Sequence, residues 1–230
     1  MHTRVRTKLR RIAIVTALCV VTMASSVNLS FVQVQADEPG VNLYLLGNFW
    51  HVALGMDELD DQGHLVGITV YAFGAAEHYR NKYVNPERYR GLERLLYYVR
   101  LAFTRQAGSL IAWDVLKEPG MTRERFLASP DLRLIIRVHP EQAARIRRLI
   151  ARYVSVLEPD PILSRPWRRA WYGEALPYSL FGFNCATFVA RLLGEVSDIS
   201  QRVILPSSLL KNFAPLCMGR DSGVYSCLGG

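Results

Sequence analysis

The chain has 230 residues, half of them hydrophobic and 21% charged, which excludes a disordered polymer and fits one globular domain, or one domain plus a targeting segment. Its formal charge of +8 says little about partners, because much of it sits at one end. Arg4, Arg6, Lys8, Arg10 and Arg11 precede the first acid, Asp37.

IAIVTALCVVTMASSV follows this basic start, with the length of a signal-peptide core or a short membrane anchor. Val34 and Ala36 fit a cleavage site after Ala36. Residues 1–36 are therefore expected to be a signal peptide or N-terminal membrane anchor, and residues 37–230 the exported domain. The destination is the periplasm, the cell surface or the medium, or the inner membrane if the segment is not cleaved. Removing residues 1–36 takes five of the 28 basic residues and none of the 20 acids, leaving +3. Cys19 lacks the small preceding residue of a lipoprotein site. Cys217 and Cys227 lie in a Gly/Ser-rich tail and can close a short disulfide loop in an oxidising compartment. Cys185 is then the odd thiol: a buried inert residue or a nucleophile.

Along the mature chain, NLYLLGNFWHVALGM reads as β structure and DELDDQG as a turn. HLVGITVYAFG alternates Val66, Ile68 and Val70, which completes a hairpin. Asn85-Pro86-Glu87 has the cap, early proline and early acid of a helix start. Leu92, Leu95, Leu96, Val99 and Phe103 follow at helical spacing, with Arg88, Arg94, Arg100 and Arg105 mostly elsewhere on the cylinder. PGMTRERFLASP is a loop with a short helical turn. DLRLIIRVHP is a strand with Leu132, Leu134, Ile136 and Val138 on one face. Pro140-Glu141 opens a helix whose apolar side includes Ala144, Leu149 and Tyr153. EPDPILSRPW is a proline-rich connection, and a further helix begins near Cys185.

The arginine-bearing helices raise acidic lipid or nucleic acid as partners. Interspersed Glu87, Glu93 and Glu141, with no aromatic-plus-basic platform, favour a solvated face and no nucleic acid. A membrane surface stays open as a partner. There is no phosphate-binding glycine loop and no histidine pair at metal-ligand spacing, so neither cofactor nor metal is expected.

The segment FGFNCATFVARLLGE carries the chemistry. Gly182 breaks what precedes it, Asn184 is a good N-cap, and Ala186, Phe188, Val189, Leu192 and Leu193 form an apolar helical face. Cys185 thus stands in a first helical turn, where unpaired amides and the helix dipole stabilise a thiolate and can hold an oxyanion. A nucleophilic thiol also needs a base, and the mature chain offers His51, His64, His78 and His139. The last two stand at the edges of elements and read as surface or capping residues.

HVALGM followed by a hairpin, and far downstream NCATFVARLL, resembles the circularly permuted branch of the NlpC-type papain-like superfamily, with its lecithin retinol acyltransferase-like members and bacterial hydrolases. That resemblance spans about 25 residues around His51 and 15 around Cys185, and residues 75–175 match no known pattern. It implies an α+β fold, a small antiparallel sheet packed on helices in permuted papain-like order, with a helical insertion. It further implies Cys185 as nucleophile and His51 as base.

The resemblance implies a third residue, which orients the imidazole, on the strand beside His51. A turn centred near Asp60 places Thr69 opposite His51, with Tyr71 one pleat further on, while His64 falls about 16 Å away. Thr69 is the preferred orienter; Tyr71, His64 or a backbone carbonyl are the alternatives. The expected function is a thiol hydrolase or acyltransferase acting on an amide or ester bond, with a peptidoglycan peptide or a lipid acyl group as substrate. The alternative is an inactive papain-like module that binds cell wall or membrane.

Overall fold

Gly47-Asn48 divides the first apolar stretch. The Asn48 side chain accepts from the His51 amide at 3.0 Å, and the Asn48 amide donates to the His51 carbonyl at 2.9 Å. An asparagine turn of this kind reverses the chain, so one expected strand becomes two, β1 (Val41–Gly47) and β2 (Val52–Leu59). The computed structural model describes residues 40–48, 51–88, 90–196 and 224–229. The export segment, Cys19, Cys217 and the SSLLKNFAP stretch lie outside the described residues. No helix among those described is long and apolar enough to cross a membrane.

The fold is α+β, as expected. Its remaining strands are β3 (Leu65–Ala75), β4 (Gln106–Asp114), β5 (Leu132–Val138), β6 (Glu158–Pro159), β7 (Arg168–Tyr178) and β8 (Val224–Gly229). All pair antiparallel in one sheet, in the order β6-β7-β4-β3-β2-β1-β5-β8. Eight strands make this sheet larger than the small one expected. The region read as a helical insertion supplies β4 to β7, together with helices α1 (Ala76–Tyr83), α2 (Gly91–Phe103), α3 (Arg123–Leu127) and α4 (Pro140–Ser155). Strand β4 escaped the alternation test because Gly108 to Ala112 are buried in succession. A central strand covered on both faces has no polar side to mark it.

Helix α5 (Cys185–Leu193) lies on one face of the sheet against β2 and β3. Ala186, Phe188, Val189, Leu192 and Leu193 are all fully buried there, against Val52, Leu54 and Met56 of β2 and Phe73 of β3. Each large apolar side chain buried this way stabilises the fold by about 1.5–3 kcal/mol. Helix α4 covers the same face, but through Ala143, Ile146 and Ile150, with Leu149 and Tyr153 at the margin of the contact. His139 caps this helix: its Nδ1 accepts from the Glu141 amide at 3.3 Å, and Gln142 returns a bond to the His139 amide. The opposite face is covered by α3 and a short 3-10 turn at Val115–Lys117, through Phe126 and Val115.

Helix α2 reverses the expected orientation. Tyr97 and Leu101 enter the core, while Leu92, Leu95, Leu96, Val99 and Phe103 are all exposed.

Candidate active site

Three segments converge at one end of the sheet: the start of β2, the end of β3 with α1, and the start of α5. Asn184 anchors the last of these. Its Oδ1 accepts from the Ala186 and Thr187 amides at 2.9 and 3.0 Å, Thr187 Oγ1 accepts from the Asn184 amide at 2.7 Å, and the Asn184 amide group donates to Leu180 O at 2.7 Å. This reciprocal cap fixes where the helix begins and holds Cys185, 3% exposed, in the first turn.

The backbone amides of Val52, Ala186 and Cys185 itself lie close enough to the thiol to favour its anion. Val52 directly follows His51, so the sulfur packs against the residue next to the imidazole. Tyr79 of α1 contacts the imidazole. Its hydroxyl lies 3.4 Å from His51 Nε2, its ring meets the imidazole edge-on, and it lies within electrostatic range of Cys185. The tyrosine is 3% exposed and burial pushes its ionisation well up.

Tyr79 reaches this position because Gly74 has no side chain. A Cβ at Gly74 would stand 2.9–3.0 Å from the Tyr79 ring and hydroxyl. Helix α1 is pinned at its next residue. Arg80 Nε and Nη2 donate to Asp160 Oδ2 at 3.2 and 3.1 Å, and Asp160 is fully buried.

The expected orienter is corrected by the strand register. Ala53 pairs with Ala72, Leu54 with Tyr71 and Met56 with Thr69. Continuing this register sets Gly74 opposite His51. Thr69 therefore lies five residues along the strand from the imidazole, about 16 Å, and Tyr71 lies three. The cause is the turn. Asp60 bonds His64 through backbone and side chain, and an irregularity between Glu58 and Leu59 moves the reversal beyond Asp60. His64 is exposed at this turn beside Asp60. His78, the remaining candidate base, packs against Tyr79, Tyr97 and Tyr98.

The electrostatics differ from the thiolate expected at a helix start. Burial raises the Cys185 pKa, and the three amides that favour the anion offset this only in part. Burial, with His78 and Lys82 nearby, lowers that of His51 to about 3. Thiol and imidazole are both neutral at pH 7.

His51 and Tyr79 also line a groove of about 760 Å³ on the sheet face opposite α5. Leu46, Ala53, Val70, Trp113, Met121 and Phe126 give it an apolar lining, and Lys82, Arg125 and Arg168 a cationic one, against Glu118 and Asp131. Cys185 is not among its lining residues.

Sequence reasoning missed Tyr79, although it read the strand that ends at Gly74. The available signal was AEHYRNKY, a helix with an early acid directly after a strand. No group of three or more acidic, histidine or cysteine side chains suited to a metal ion occurs among the described residues. Comparison with family models, curated proteins and solved structures finds no match to this chain.

Proposed function

We propose that this protein is an exported thiol hydrolase or acyltransferase of permuted papain-like type, with Cys185 as nucleophile, His51 as base and Tyr79 as the group that orients the imidazole. One observation carries the reading: the Cys185 thiol lies near the amide of Val52, the residue after His51, and the Tyr79 hydroxyl lies 3.4 Å from His51 Nε2.

The neutral resting pair sets the order of events. With Tyr79 oxygen accepting from Nε2–H, His51 keeps its lone pair on Nδ1. A carbonyl admitted to the buried sulfur is attacked as His51 takes the thiol proton, so attack and proton transfer occur together. The tetrahedral oxyanion develops at the start of α5, where the helix dipole favours negative charge. Collapse expels the amine or alcohol, which takes the proton from His51. Water or a second acceptor then releases the acyl group. The apolar lining and cationic rim of the groove suit an acyl chain or peptide carrying negative charge, which keeps both a lipid acyl group and a peptidoglycan peptide as substrate classes.

A second reading is favoured by the burial of the sulfur: a module of the same fold that binds its ligand in the groove and does no chemistry. Wild type and Cys185→Ala, each incubated with purified peptidoglycan and with phospholipid, separate the two by mass spectrometry. The enzyme reading expects new products from wild type alone, and His51→Gln slower by about 10²–10⁴-fold. Products that persist in Cys185→Ala, or no products from either substrate, contradict it.

A further inference from the structure

We propose that helix α2 is a membrane-docking surface, which lies in the interface of an anionic lipid bilayer with its apolar stripe in the acyl region. This inference does not depend on the chemistry of Cys185.

Leu92, Leu95, Leu96, Val99 and Phe103 are 50–77% exposed and recur at spacings of three and four, so they form one continuous stripe along the helix. Five large apolar side chains on one outward face differ from the scattered exposed leucine of an ordinary surface. The helix is not presenting this face for lack of an apolar alternative, since Tyr97 and Leu101 on its other side already fill the core contact. Exposed Tyr83 and Val84, just upstream, add to the local apolar surface.

Charge identifies the occupant. Residues 88–105 contain five arginines and one glutamate. A second copy of this face would bring two such clusters together at close range, which is repulsive. The chain's own basic start, with Arg4, Arg6, Lys8, Arg10 and Arg11, would be repelled in the same way. An anionic headgroup layer complements the cluster, and each arginine near it adds to the attraction. Arg100 borders the stripe, and Arg90 and Arg105 stand at its two ends. Arg100 pairs with Glu77 and Arg90 with Glu87, both at the exposed surface. Exposed pairs of this kind contribute little, so they exchange readily for a lipid phosphate. Thirteen residues of helix span about 20 Å, less than the roughly 30 Å hydrocarbon core, so α2 lies in the interface and does not cross it.

The full chain is incubated with vesicles of phosphatidylglycerol and phosphatidylethanolamine, or of phosphatidylcholine alone, each doped with a phospholipid bearing a diazirine on its acyl chain. Irradiation and peptide mapping then read adducts on residues 91–105. Adducts are expected in the anionic vesicles and fewer in the neutral ones. Leu95→Gln/Leu96→Gln/Phe103→Gln should lose most of them, and Arg105→Gln should lower the yield about fivefold. Because these side chains are exposed, an unchanged melting temperature confirms that the variants are folded. Four results overturn the proposal: no adducts on 91–105, equal yields for wild type and the triple variant, equal yields on neutral and anionic vesicles, or a dimer cross-linked through α2.

Discussion

Tyr79 is held beside His51 by what Gly74 lacks. An alanine there would put a methyl group into the tyrosine ring, so the ring must swing away from the sheet and release Nε2. Gly74→Ala should therefore reduce turnover more than it reduces stability. Tyr79→Phe keeps the ring in place and removes only the hydroxyl. One neutral hydrogen bond is worth about 1 kcal/mol, so kcat should fall about fivefold with KM unchanged. If Tyr79 only packs, Tyr79→Phe leaves the pH–rate profile where it was; if it orients the imidazole, the basic limb moves. The cysteine illustrates the same balance between local and global effects. A helix start favours the thiolate, but burial outweighs the nearby backbone amides and raises the pKa. Iodoacetamide should accordingly label the resting thiol only as pH rises above the ordinary thiol range.

At the scale of elements, α1 is a short helix whose position depends on an interior ion pair. Asp160 also accepts from the Ile162 and Leu163 amides at 3.0 and 3.3 Å, so it organises its own loop as well as gripping Arg80. Asp160→Ala leaves Arg80 facing a buried space and strips two amides of their acceptor. Urea denaturation should show a loss on the order of 3 kcal/mol. Conversely, α5 depends on apolar contact. Phe188, which stacks on Phe73 at 5.5 Å between ring centres, should cost about 3–5 kcal/mol on substitution by alanine. Helix α5 was legible in the sequence for this reason: an asparagine cap, a 3.6-residue apolar period and a closing glycine agree with one another, and the packing uses that same face. In α2 the period was equally clear and the orientation wrong, because periodicity reports that one face is apolar without saying what lies against it. In α4 the apolar residues were spread widely enough around the helix that the true contact, Ala143, Ile146 and Ile150, was displaced by one position from the expected side. Thr69 failed as orienter through register alone, since side chains in a hairpin are set by the turn, and this turn begins where Asp60 binds His64 rather than centring on Asp60.

Across the whole molecule, two imidazoles are held neutral by the fold. Burial lowers His51 to about 3 and His78 to about 4, with Lys82 adding to both. The unfolded chain takes up these protons near pH 6.5 and the folded one far below it. Between those values the unfolded state binds more protons, so stability must fall as pH drops from 6.5 toward 4. Asp57, whose pKa is raised by burial between Asn42 and Tyr44, acts with the opposite sign over the lower part of this range. His78→Gln should flatten the decline measured by urea midpoints at pH 7, 6, 5 and 4, and an equal slope in wild type and variant would remove His78 as its source.

The same neutrality means that the proposed catalytic pair becomes charged only as bonds change, so the decisive species is the covalent intermediate. A p-nitrophenyl acyl ester, mixed with the full chain and quenched in acid within a turnover, should leave one acyl group on Cys185 by intact mass and peptide mapping. His51→Gln should accumulate that adduct far more slowly. An acyl group on another residue, or equal rates of Cys185 acylation with and without the imidazole, would contradict the pairing of His51 with Cys185.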